Sequence, residues 1–107
     1  MKTIEGLTAE EERAAEVFRA LGNPARLRIV AELGRRRVCQ TGDLVGVLPL
    51  AQSTVSQHLK VLKEAGIIRG DVDGDPCYCL EPEAIRFIAE FCASVCGPDG
   101  CDILAGC

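Results

Sequence analysis

Four of the seven cysteines in this 107-residue chain, Cys92, Cys96, Cys101 and Cys107, fall within its last sixteen residues. A thiolate is both a nucleophile and a soft metal ligand, so the spacing decides whether these sulfurs can meet. Cys92 and Cys96 are four residues apart, which on a helix of about 3.6 residues per turn sets them on one flank. Gly97-Pro98-Asp99-Gly100 reads as a turn that brings Cys101 back to the same point, and Cys107 follows on a short tail. Three or four thiolates gathered in this way select a soft, thiophilic ion over magnesium or calcium. A single cysteine is more often a small buried apolar residue, but a Gly- and Asp-rich tail has no core in which to bury Cys101 and Cys107. Cys39 stands apart from this group, and Cys77 and Cys79, two residues apart, share one face of any strand. There is no Cys-x-x-Cys pair, and the lone histidine, His58, has no cysteine nearby in sequence, so a thiol enzyme is not expected.

A second stretch carries a different chemistry. From Leu50 to Gly66 no acid occurs before Glu64. With helical spacing, Val55, Leu59 and Leu62 form an apolar stripe while Ser53, Ser56, Gln57, Lys60 and Glu64 gather on the other side. Hydroxyls, an amide and a lysine on one face are donors and acceptors suited to base edges and phosphates. The candidate contacts are Gln52, Ser53, Thr54, Ser56, Gln57, His58 and Lys60, with Arg69 just beyond the helix; His58 reads as a phosphate contact or a helix-packing residue. A polar face alone is commonly just solvated, and it is the neighbourhood that points to DNA. Upstream, Gly42 to Pro49 is a short apolar segment closed by proline, giving a helix, tight turn, helix unit. Downstream, Ile67-Ile68-Arg69, a turn at Asp73-Gly74-Asp75-Pro76 and Cys77-Tyr78-Cys79-Leu80 make a hairpin. This is the order of a winged helix-turn-helix, mainly α with a small β-hairpin.

Leu21-Gly22-Asn23-Pro24-Ala25-Arg26-Leu27-Arg28-Ile29-Val30, followed by Gln52 to Gly66, resembles the ArsR/SmtB family of metal-sensing winged-helix repressors over roughly residues 12 to 95. The resemblance implies a dimeric repressor that binds double-stranded operator DNA and leaves it on binding an inducer, with the terminal helices forming the dimer interface. The family's best-known arsenic site uses a Cys-Val-Cys-Asp-Leu type motif, and Val38-Cys39-Gln40-Thr41-Gly42-Asp43-Leu44 keeps only one of those cysteines. Its zinc and nickel sites need histidines that this chain lacks. The family has moved thiol sites around its scaffold, including to the C-terminal end. The resemblance and a thiolate-only ligand set therefore point to As(III) or Sb(III) at Cys92, Cys96, Cys101 and Cys107. Three trigonal thiolates suit As(III) or Sb(III), the preferred reading, while four would suit Cd(II), Pb(II) or zinc, and a cysteine pair such as Cys39 with a terminal cysteine would suit a redox or reactive-sulfur sensor.

The elements that must position these residues can also be read. Residues 22 to 70 carry eight Lys or Arg against three acids, a net of +5, while residues 71 to 107 carry one Arg against eight acids, a net of −7. The basic segment is the expected DNA footprint, despite a formal net charge of −4 for the chain. Thr8-Ala9-Glu10-Glu11 has the pattern of a capping box opening a helix to about Leu21. Asn23-Pro24 starts a second helix, with Leu27, Val30 and Ala31 as its buried stripe and Gly34 as its end. A last helix runs from Pro82 to about Cys96, with Ala84, Ile88, Phe91 and Val95 on one side, until Gly97-Pro98 stops it. The recognition helix begins at Ala51, where family members often carry a serine cap. One core of this length leaves no room for a second domain: residues 1–96 form the DNA-binding and dimerisation domain and residues 97–107 a cysteine-containing tail. No apolar run approaches the roughly 20 residues that span a bilayer, and Met1 to Gly6 has no signal-peptide core, so the expected location is cytoplasmic.

Overall fold

The computed structural model describes residues 5–36, 39–70 and 77–97. In chain order the elements are α1 (Ala9–Leu21), α2 (Pro24–Arg36), β1 (Cys39–Gln40), α3 (Thr41–Val47), α4 (Gln52–Glu64), β2 (Ile68–Gly70), β3 (Cys77–Leu80) and α5 (Pro82–Val95). This is the expected winged helix-turn-helix: mainly helical, with the antiparallel pair β2 and β3 as the wing. The predicted turn at residues 73–76 lies outside the described residues.

Local chemistry sets most of the helix ends. The Thr8 backbone N–H donates to Glu11 Oε1 at 2.9 Å and Glu11 N–H to Thr8 Oγ1 at 3.0 Å, so the capping box forms. Asn23 Oδ1 accepts from the N–H groups of Ala25 and Arg26 at 2.9 and 3.2 Å, ahead of Pro24 at the first helical position. Helix α4 ends in a Schellman arrangement, with Ile67 N–H bonded to Leu62 O and Gly66 N–H to Lys63 O, both at 3.0 Å. Gly66 has φ +77°, a left-handed backbone that a side chain would strain. The following residue, Ile67, is thereby turned fully into the core.

One core joins these elements. Val17 and Ala20 of α1, Ile29 and Leu33 of α2, Leu44 of α3, Val55, Leu59 and Leu62 of α4, and Ile67 and Ile68 are all buried in one cluster, with Leu48 in the turn between α3 and α4. The apolar stripe predicted for α4 is therefore the stripe that is buried.

Helix α2 differs from expectation in two respects. Leu27 is 52% exposed, Ala31 is exposed and Val30 is half-buried, while Ile29, Glu32 and Leu33 on the other side are buried. Glu32 lies within this buried face because Arg35 and Arg36, one turn on, donate to its Oε2. A composition-based stripe could not admit a carboxylate. Gly34 also fails to end the helix, which continues to Arg36; a side chain at Gly34 would meet Leu80 Cδ1 at 3.5 Å, ordinary contact.

A third strand was not anticipated. β1 pairs antiparallel with β3, giving the sheet order β1-β3-β2 and setting Cys39 opposite Tyr78 and Gln40 opposite Cys77. The two-residue segment is too short to leave a periodic signal in sequence. On the other side of β3, Gly70 stands opposite Tyr78, and a Cβ at Gly70 would lie 2.4 Å from the tyrosine ring. The glycine makes room for that ring to cross the strand.

Candidate nucleic-acid interface and thiol sites

The polar face of α4 is displayed as its sequence implies. Gln52, Ser53, Ser56, Gln57 and Lys60 are exposed, and Thr54 and His58 are half-buried at the edge of the face. Beneath them Val55, Leu59 and Leu62 are at most 1% exposed, so the backbone carrying these side chains is fixed from below. Ala51 caps the helix in extended conformation with no side-chain hydrogen bond, as its side chain requires. No acid lies in the first turn, which leaves the partial positive charge of the helix start unopposed by a local carboxylate.

Arg26, at the start of α2, was not singled out from sequence, yet it braces this helix. Its Nε donates to Ala20 O at 2.5 Å and its Nη2 to Arg19 O at 3.5 Å, both at the end of α1, while Nη1 lies 3.3 Å from His58 Nδ1. A guanidinium has donors only, so the contact is a hydrogen bond in the tautomer that leaves Nδ1 as the acceptor. This contact sets the half-buried His58 ring against α2. A brace across 32 residues of sequence leaves no local signature.

Charge near the interface is partly consumed within the fold. Burial raises the Glu32 carboxyl, but the hydrogen bonds from Arg35 and Arg36 outweigh it and hold the group below the ordinary carboxylate value. Those two arginines therefore serve α2 first. Arg69 projects from β2, its side chain 63% exposed, with Nε donating to Cys79 Sγ at 3.4 Å and 3.8 Å from Glu81 Oε2. The bond to Cys79, then the charge of Glu81, hold this guanidinium above its ordinary value.

The predicted thiol cluster is described only in part. Cys92 is free and exposed on α5, and Cys96 is half-buried at the C-terminal cap of that helix. Cys96 is disulfide-bonded; since Cys77, Cys79 and Cys92 are free, none of these is its partner. Cys101 and Cys107 lie outside the described residues, as does the turn at residues 98–100. Among the described residues no group of three or more His, Cys, Asp or Glu side chains surrounds a common point. No helix among them is long and apolar enough to cross a membrane.

The terminal helices meet along a partly apolar seam. Arg13 of α1 makes a two-pronged bond to Glu83 of α5, at 3.0 and 2.6 Å, and its guanidinium lies 4.1 Å from the centre of the Phe87 ring. Phe18 and Phe91 meet edge to face at 6.3 Å. Phe18 is nevertheless 44% exposed and Val95 72% exposed.

Known proteins share this arrangement. Residues 23–69 match the family model for bacterial regulatory proteins of the arsR family, a segment running from the cap of α2 through α4 into β2. The biofilm growth-associated repressor of Agrobacterium fabrum is 35% identical over 98 residues, covering 87% of this chain and 83% of that protein. The HTH-type transcriptional repressor SmtB of Mycobacterium tuberculosis is 43% identical over 63 residues, 59% of this chain, which spans 46% of that relative's length. An ArsR-like transcriptional regulator from Rhodococcus sp. RHA1 shares the fold with a TM-score of 0.73 at 24% identity, over 82% of this chain and 83% of that one. A braced recognition helix, a wing bearing a cationic side chain and these matches identify the chain as a member of the ArsR/SmtB family of winged-helix transcriptional repressors.

Proposed function

We propose that the protein is a homodimeric repressor that holds operator DNA through Gln52, Ser53, Thr54, Ser56, Gln57, His58, Lys60 and Arg69, and releases it when As(III) or Sb(III) binds Cys92, Cys96, Cys101 and Cys107. The observation that carries the DNA half is the exposed, acid-free face of α4 from Gln52 to Lys60, seated on a stripe at most 1% exposed. A rigid face of hydroxyls, amides and a lysine reads bases, and the lysine grips phosphates. Dimerisation is supported by Phe18 and Val95, large apolar side chains left exposed on the two terminal helices of one chain. Two recognition helices must then lie about 34 Å apart, one DNA turn, to engage both half-sites.

The inducer half rests on the C-terminal thiols. Cys92 is exposed and free four residues before Cys96, and α5 belongs to the same seam as Phe18. Trivalent arsenic takes three thiolates, which Cys92, Cys96 and Cys101 supply, with Cys107 as a fourth or substitute ligand. Tying the tail to α5 shifts the population towards a dimer whose recognition helices no longer match the DNA turn. A second reading, a thiol redox or reactive-sulfur sensor of the same fold, is favoured by one observation, the disulfide at Cys96. A sulfur in a disulfide cannot also ligate arsenic, so the two inputs exclude each other at that residue.

An operator mobility shift with As(III), Sb(III), Cd(II), Pb(II), Zn(II) and peroxide separates these readings. Under reducing conditions arsenite releases the DNA, and a chain truncated after Gly97 still represses but no longer responds. Release by peroxide alone, reversed by dithiothreitol, selects the redox reading; release of the truncated chain by arsenite moves the site elsewhere.

A further inference from the structure

β3 carries two free thiols, Cys77 and Cys79, that neither the DNA face nor the C-terminal cluster uses. The strand register fixes their side. Arg69 stands opposite Cys79, and Ile68 opposite Leu80. Ile68 is buried in the core and Leu80 packs against it. Side chains alternate along a strand, so Cys77, Cys79 and Arg69 share the face turned away from the core. Both thiols are half-exposed there, and the Arg69 Nε–H is directed at Cys79 Sγ, 3.4 Å away.

Residues two apart on a strand are separated by about 6.6 Å along it. Two sulfurs leaning together from such positions suit an ion that takes two ligands in line, since two metal–sulfur bonds of about 2.3 Å span about 4.6 Å. An ion needing three or four ligands finds no further His, Cys, Asp or Glu to complete a group among the described residues. Paired thiols select the soft end of the metal series.

We propose that Cys77 and Cys79 form a second thiol site, on the wing, for a soft two-coordinate cation of the Cu(I) or Hg(II) class. Binding forms two metal–sulfur bonds and releases two thiol protons to solvent, with no change of oxidation state. The site uses neither Cys92 nor the tail, so it stands or falls separately from the arsenite reading.

The test uses the full chain with Cys39, Cys92, Cys96, Cys101 and Cys107 replaced by serine, reduced and titrated with Hg(II) in excess monothiol competitor. Native mass spectrometry and a free-thiol count read the result. One ion per chain with both remaining thiols protected is expected. A single protected thiol per ion, an ion shared between two chains, or loss of the ion to the monothiol overturns the proposal. Should the five-serine chain fail to fold, the Cys77→Ser/Cys79→Ser variant of the otherwise native chain decides. It is expected to bind one Hg(II) fewer per chain than the native protein, and an unchanged stoichiometry overturns the site.

Discussion

Helices α4 and α5 are of similar length, 13 and 14 residues, yet the fold holds them in opposite ways. Three side chains of α4 are fully buried, its end is locked by the Gly66 arrangement, and Arg26 ties its His58 to the end of α1. Only Ala84 of α5 is fully buried; Ile85, Phe87, Ile88 and Phe91 are half-covered, and Val95 is exposed. The helix proposed to read DNA is thus fixed by one chain, whereas the helix bearing the thiols leaves apolar surface for a partner to cover. A reader gains specificity from rigidity, because a side chain held in place discriminates between bases that differ by one hydrogen bond. The sensing role proposed for α5 would need a second arrangement close in energy, which an under-packed helix can supply.

The sharpest way to break this comparison is to truncate one apolar side chain on each helix, buried on α4 and exposed on α5. Leu59→Ala is expected to destabilise the protein by about 2–5 kcal/mol, the range for removing a fully buried leucine side chain. Val95→Ala is expected to change monomer stability by less than about 0.5 kcal/mol while weakening self-association in sedimentation. Equal melting shifts for the two variants would remove the distinction between anchored and uncovered helix.

At the reading face, Gln57→Ala should lose about 1–3 kcal/mol of discrimination at one operator position. Lys60→Ala should instead weaken all sequences alike and flatten the salt dependence of binding. A Gln57 variant with unaltered specificity in competition assays would contradict the assigned orientation of α4.

The start of α4 offers a gain. Ala51 has the extended backbone of a capping residue and no side-chain oxygen, so Ala51→Ser is expected to add about 1 kcal/mol in denaturant titration. No gain would mean that the first N–H groups of the helix are already satisfied by other partners.

The smallest effect concerns the seam of α1 and α5. The hydrogen bond from Arg13 lowers the Glu83 carboxyl below its ordinary value, so the pair's contribution is complete above about pH 4.3 and fades as pH falls through the depressed folded value. Both side chains are largely exposed, so the contribution is small and is screened at about 1 M salt, where the Debye length is about 3 Å. Native protein should lose slightly more stability on acidification than Glu83→Gln, in low salt only. An equally steep acid profile in the variant would show that other carboxylates set it.

The features legible in sequence are those with local causes. Thr8 with Glu11, Asn23 with Pro24, and the alternation of buried and polar residues in α4 each act within about one or two helical turns, so their spacing carried the outcome. The same holds for the wing pair β2 and β3, whose two extended runs were readable as a hairpin. What required tertiary structure has distant partners. Which side of α2 enters the core follows from Ile29 and Leu33 packing into the cluster formed with α1, α3 and α4, while Leu27 on the opposite side stays exposed. Strand β1 exists because β3, far along the chain, offers it an edge. Arg26 reaches a recognition-helix histidine and the last carbonyls of α1 at once, a contact that composition and periodicity cannot encode because neither records which residues the folded chain brings together.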